Sequence, residues 1–322
     1  MTTVDTTRPA RTGRFAPRGI WWLMWRQQRV TILLWLAAVV AAAVVFPILR
    51  GAMAEYIDSN HIAGCAMITT DPACQGEGIQ HAVDTFRSRY AEILHGVGAL
   101  LLMLPVAVGV FVAGPLLSKE YESGTWRLVL GQSVSRTRWL VAKLATSGAV
   151  AVAGSLALMG LFHWMWLPSA NFVSGVAWCS STFIVSGGPL LAATVLLALA
   201  IGATVGSLTR RVVPAMAITF GAVVVTQYVL ASVRPYLVPY QTRFVSNSEL
   251  PNDVWSFDRG FVTADGRHLS YEAADTVTGA REYTDLHTAA DYWPLQGVES
   301  GICLVLAAAL VGFLFWRARR SD

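Results

Sequence analysis

The residues able to do chemistry are concentrated in one interval. Between Gly114 and Lys143 the chain carries Lys119, Arg127, Arg136, Arg138 and Lys143 against Glu120 and Glu122, flanked by long apolar runs almost free of charge. The two carboxylates are followed by Gly124-Thr125 and then Trp126-Arg127-Leu128. That order suits contact with another protein: carboxylates to pair with its arginines, and an indole to fill an apolar pocket as an anchor. The alternative is that Glu120 and Glu122 only cap or solubilise the loop. A short helix starting at Gly124-Thr125 would present Trp126, Leu128, Val129 and Leu130 as its apolar contacts. A loop this basic between membrane spans belongs on the cytoplasmic side. The interval reads as a receiver of mechanical force from another protein.

Catalytic constellations are missing elsewhere. The six histidines (His61, His81, His95, His163, His268 and His287) are scattered without ligand spacing, so no metal site is expected. His95 and His163 fall near outer span ends, where an interfacial polar residue is the ordinary explanation. There is no G-x-x-x-x-G-K-[ST], no H-E-x-x-H and no G-x-S-x-G, which excludes the usual phosphate loop, zinc protease and serine hydrolase. Apart from Lys143 and Glu299 near span ends, the apolar runs lack ionisable residues. Proton-coupled and ion-coupled carriers need such groups at membrane depth. The expected protein is therefore not an enzyme, binds no cofactor itself, and draws energy from elsewhere.

The positioning elements follow from composition. With 54% hydrophobic and 14% charged residues, the chain is a poor candidate for a soluble protein. Several runs exceed the roughly 18–20 apolar residues that cross a bilayer. The reading is an all-α polytopic membrane protein with a disordered tail at 1–17 and an interfacial elbow helix at 18–29, carrying Trp21, Trp22 and Trp25. An aromatic belt at the head of the first span explains the same tryptophans. Six spans follow at 30–49, 93–117, 140–167, 183–208, 212–230 and 296–316, with a charged loop at 118–139 and a kink expected at Pro105. A secretory signal peptide fits poorly, since the first apolar run is long and lacks a small-residue cleavage site. Gly202 and Gly206 form a GxxxG that permits close helix approach without naming the partner.

Two large loops, at 50–92 and 231–291, complete the chain. The first holds Cys65 and Cys74. Outside the cell a disulfide between them is expected, with two free thiols as the alternative. The second has a hairpin signal at Asp265-Gly266 and length enough for a small cap of strands or helices. Glu299 either belongs to an outer gate or re-entrant turn, or stays at headgroup level beside Tyr292 and Trp293.

Charge sets the orientation. With both termini inside, 16 of the 24 Lys and Arg fall on the cytoplasmic side, but only 4 of the 20 acids (Asp5, Glu120, Glu122, Asp322). Cationic loops near span ends stay inside, so six spans with cytoplasmic termini fit best. The expected location is a bacterial plasma membrane, multi-pass.

Particular residues carry a family likeness. Gly114-Pro115-Leu116-Leu117, Lys119-Glu120-Tyr121-Glu122-Ser123-Gly124-Thr125 and Gln132-Ser133-Val134-Ser135-Arg136-Thr137-Arg138-Trp139, ending in Lys143, resemble the ABC-2-type permease family. They resemble most a bacterial subgroup with an E-x-E-x-GT-x-R-L and QSV-[ST]-R-x-R-W signature. Tyr292-Trp293-Pro294-Leu295-Gln296 with Glu299-Ser300-Gly301 resembles that subgroup's second motif. Lys119 departs from many relatives, and the two large loops carry little of the likeness. The resemblance implies a permease homodimer driven by a separate ABC ATPase in two copies, which would hold ATP and Mg. It implies a coupling helix drawn from Glu120, Glu122, Gly124, Thr125, Trp126, Arg127, Leu128 and Arg136. It also implies a cleft lined by the second and fifth spans, with Thr219, Thr226 and Gln227 as candidates, although polar helix contacts explain these three as well. An apolar cleft suits a hydrophobic or amphipathic substrate moving outward. The expected partners are protein and membrane lipid, not nucleic acid. A second reading is a membrane-embedded sensor or immunity protein whose outer loops bind a ligand.

Overall fold

Leu190–Thr209 is the helix around which the others are arranged. An 18-residue stretch of it is 83% buried, against 17% in the first and fifth spans. The computed structural model describes residues 20–63, 65, 74–125, 135–169, 178, 181–244, 254–263, 266–269 and 280–320, the side chains of 20–27, 181 and 268 excepted. Among them, six helices are long and apolar enough to cross a membrane. In chain order the helices are α1 (Ile20–Ser59), α2 (Glu77–Ala107), α3 (Gly114–Ser123), α4 (Arg136–Trp166), α5 (Ser181–Ser186), α6 (Leu190–Thr209), α7 (Val212–Val233) and α8 (Tyr292–Arg320). A π-helical turn, Val108–Ala113, joins α2 to α3 in one rod.

The π turn follows Pro105, the expected kink site. Proline lacks the amide that would complete the α ladder, and widened turns inside helices are one identifiable cause of bending. The Val108 N–H is shared between Leu104 O and Pro105 O. The turn also names the partner of the GxxxG motif. A Cβ added at Gly202 would lie 2.6 Å from Ala113 Cβ and 2.8 Å from Gly109 O, and one at Gly206 would lie 2.6 Å from Gly114 O. Two glycines one turn apart let the α6 backbone meet the α2–α3 rod directly. On the other flank, α1 packs along α4, with the Trp35 ring against Gly154. The Gln28 amide donates there to Thr146 Oγ1 (3.0 Å) and Ser147 Oγ (2.8 Å).

Several expected boundaries move. Residues 20–29, within the expected elbow, continue into the first span in one helix. The loop expected at 50–92 is largely helix, with α1 continuing to Ser59 and α2 beginning at Glu77. A 40-residue helix is about 60 Å long, roughly twice the hydrocarbon thickness, so these arms reach beyond the membrane. Met53 and Ile57 bury one side of the first arm, and Val83, Phe86 and Tyr90 the other. The Phe86–Tyr90 and Tyr56–Phe86 rings stand 4.9 and 5.9 Å apart. At the tip, Cys65 and Cys74 are placed as a disulfide with Cα atoms 5.3 Å apart. The 118–139 loop is shortened from both sides, because α3 runs to Ser123 and α4 starts at Arg136 on a Ser135 cap. The fourth span, expected as 183–208, breaks at Gly187-Gly188-Pro189 into α5 and α6.

The membrane part is helical, but residues within 231–291 add a four-stranded antiparallel sheet. Its strands are β1 (Gln241–Arg243), β2 (Trp255–Val262), β3 (His268–Leu269) and β4 (Arg281–His287), in spatial order β1-β4-β2-β3. Tyr283, Thr284, Leu286 and His287 on β4 are buried. Polar residues spread through the loop obscured this pattern.

Two outcomes follow. Gly202→Leu should destabilise the purified chain by about 1–3 kcal/mol, the cost of overpacking, read as a lower melting temperature. Gly312→Leu, where an added Cβ meets nothing within 4 Å, should leave it unchanged. For Cys65 and Cys74, a maleimide gel shift should appear at these positions only after reductant; labelling without reductant would show free thiols.

Candidate functional site

Of the eight residues expected to form the coupling site, Trp126, Arg127 and Leu128 lie outside the described residues. Glu120, Glu122, Gly124 and Thr125 stand where α3 ends. Gly124 terminates α3 in the left-handed region at φ +72°, donating its N–H to Tyr121 O, a conformation open to glycine without a side-chain penalty. Thr125 Oγ1 is 2.9 Å from Ser123 Oγ, and Arg136 opens α4.

Both carboxylates are engaged within the chain. Glu120 is buried and ion-paired through Oε1 to Lys143 on α4, itself buried. Lys143 Nζ also donates to Leu116 O at 2.7 Å. Burying a charge alone costs several kcal/mol, and a paired, hydrogen-bonded partner offsets that cost. Glu122 is exposed, and its Oε2 accepts the Val212 N–H at 2.8 Å. Val212 opens α7, whose N-cap Arg211 supplies no side-chain bond. The first amides of a helix have no intrahelical acceptor, and a carboxylate is favoured there by the helix dipole as well. Of the two roles open to these acids, the described contacts are capping and pairing.

A second charged pair closes the opposite end of α7. Arg234, just past Val233, holds Glu299 of α8 bidentately, Nε–Oε2 at 2.7 Å and Nη2–Oε1 at 2.9 Å. The two side chains are 4% and 1% exposed, so the pair is enclosed by the chain itself. Sequence reasoning missed Arg234 because the fifth span was ended at Leu230. The signal was a single arginine four residues beyond, with a lone acid near the start of the last span.

One turn before Glu299, Gln296 bridges the break between α5 and α6. Its Oε1 accepts Leu190 N–H (3.2 Å) and its Nε2 donates to Ile184 O. His163 Nδ1 faces Gly187 O at 3.1 Å; a carbonyl only accepts, so Nδ1 carries the proton. Ser186 Oγ donates to Gly98 O. A cavity of about 230 Å³ opens beside this polar layer, lined by Leu102, Met103, Thr194, Val224, Gln227, Tyr228, Arg234 and Glu299 among others. Of the three cleft candidates, Gln227 alone lines it, donating to Leu102 O (3.3 Å). Thr219 is fully buried, and the Thr226 hydroxyl returns to Ala222 O. Among the described residues no three His, Cys, Asp or Glu side chains stand together as a metal site.

Glu299→Ala should cost about 3–5 kcal/mol of stability by stranding a buried arginine. Pairing Glu299→Met with Arg234→Met should recover most of it. Thermal melts of both variants in detergent check the difference.

No curated protein and no solved structure matches the chain. A family model described as ABC-2 membrane transporter related matches residues 36–234. That interval runs from within α1 to the arginine that closes α7, more than half of the chain. It contains both carboxylates of the loop and five of the six spans. The chain belongs to the ABC-2 membrane transporter related family.

Proposed function

We propose that this chain is the permease subunit of an ATP-driven exporter, acting as a homodimer and powered by a separate ABC ATPase docked beneath it. The observation that carries the reading is the family match over residues 36–234 of a six-span chain whose charged interval begins at the end of α3. The ATPase pair would bind ATP and Mg and push the loop around Glu122–Leu130. That push would tilt the spans and open a cleft toward the outside, with Trp126 as the anchor. The positive-inside distribution of Lys and Arg supports a cytoplasmic loop.

The face of α7 supports the cleft. Val213, Ile218, Phe220, Val225 and Tyr228 are exposed there, and an apolar wall suits a hydrophobic or amphipathic substrate. The same wall would meet the second copy. Gln227 and the cavity beside Arg234–Glu299 supply the polar groups available to such a molecule within one chain.

The test is co-expression of the chain with an ABC ATPase subunit from the same genome. Affinity capture of the chain should recover the ATPase, and reconstitution should raise ATP hydrolysis above that of the ATPase alone. Trp126→Ala should lose both effects. In intact cells a Thr125→Cys label should be protected and an Asp258→Cys label reactive. ATP hydrolysis by the chain alone, or labelling at 125 from outside, would overturn the reading.

A further inference from the structure

Three consecutive side chains at the end of α3 reach three different parts of the bundle. Glu120 is held by Lys143 on α4. The Tyr121 ring lies under the Arg210 guanidinium, 5.8 Å from its centroid, at the turn between α6 and α7. Glu122 accepts the first amide of α7. Successive helical residues point about 100° apart, so one turn of helix can hold three neighbours at once. The next residues are Ser123 and the left-handed Gly124, so the wired turn sits directly against the loop.

The α7 helix is otherwise loosely held. It is one of the two least buried spans, and between its ends a single side-chain hydrogen bond among the described residues, Gln227 to Leu102 O, ties it to the second span. Arg210 turns the chain into α7 with φ +55°. A connection this short passes little slack between α6 and α7.

We propose that Glu122 is a positioning residue that hands loop movement to α7 by holding the Val212 amide, while Glu120–Lys143 anchors the same turn to α4. This rests on the ATPase-driven reading and reassigns Glu122 within it. Glu122 grips the permease's own fifth span; the ATPase is gripped by the loop beyond Gly124. When the loop moves, the α3 turn pivots about the buried Glu120–Lys143 pair and draws the head of α7 with it.

Two variants remove the bond from opposite sides. Glu122→Ala removes the acceptor. Val212→Pro removes the donor and leaves Glu122 untouched; proline is accepted at a first helical position, and Arg211, at φ −130° and ψ 137°, already has the extended backbone that precedes proline. Glu122→Gln keeps an acceptor oxygen. Each is prepared with the ATPase in nanodiscs, in a Cys179→Ala, Cys303→Ala background, with spin labels at Val213→Cys on α7 and Leu156→Cys on α4. The readouts are ATPase capture and the change in label distance on adding ATP.

Wild type and Glu122→Gln should show the distance change. Glu122→Ala and Val212→Pro should capture the ATPase equally but lose the change. If Glu122→Ala loses capture while Val212→Pro behaves as wild type, Glu122 is an ATPase contact and the proposal falls. It also falls if both variants retain the distance change. Should Glu122→Ala fail to fold, its melting curve shows this and Val212→Pro decides. Absence of capture by wild type would overturn the exporter reading itself, and with it the coupling role of Glu122.

Discussion

Inside a bilayer no water is at hand to complete a hydrogen bond, so every interruption of a helix must be completed by the protein. The break between α5 and α6 shows how this chain meets that constraint. Gly187-Gly188-Pro189 frees the Ile184 carbonyl and the Leu190 amide, and Gln296 satisfies both from α8. The Gly187 carbonyl is met by His163 from α4, and Ser186 reaches Gly98 O on α2. Four helices are thereby fixed around the head of α6, the most buried span. The register set there continues to the other end, where Gly202 and Gly206 meet the π turn and α3. A break that looks like a weakness thus aligns the whole central layer.

The same scarcity of water explains where charge is tolerated. Two ion pairs are enclosed by the bundle, Glu120–Lys143 at the loop end and Arg234–Glu299 at the cap end. Neither adds much net stability over well-packed apolar residues, since desolvation cancels most of the attraction. Each excludes alternatives instead: a helix slipping by one turn would strand a buried charge. Their use is to make the relative placement of α3 with α4, and of α7 with α8, discrete.

The span count was open to sequence reading because apolar runs of membrane length and cations at their ends are strong, local signals. An irregularity beside Pro105 was open for the same reason, and a π-helical turn follows that residue. What stayed hidden depended on pairs distant in sequence. Arg234 and Glu299 are 65 residues apart and Glu122 and Val212 are 90 apart; the two acids stand out in the sequence, but nothing local names their partners. The arms at 50–59 and 77–92 were masked by their acids. Their apolar spacing, Met53 with Ile57 and Val83 with Phe86 and Tyr90, already had the helical period. The sheet of 241–287 was hidden by short strands and by a register shift between Ser256 and Asp258, which interrupts the alternation on β2.

These placements make α7 a rod secured mainly at its ends. At its head, Glu122 from α3 holds the Val212 amide. At its tail, Arg234 is locked to α8, and the next carbonyl, Pro235 O, receives the His287 Nε2 hydrogen at 2.8 Å from the last residue of β4. His287 is stacked on Phe257 of β2 at 5.4 Å, so the tail of α7 is also fastened to the cap sheet. Between these ends the rod offers an apolar side to lipid or to a second copy, where sliding meets few directional bonds. An element bonded firmly at both ends and loosely along its length moves as a unit. On the proposed coupling, displacement at its head would reach the sheet some thirty ångströms away, a distance set by 22 helical residues at about 1.5 Å each.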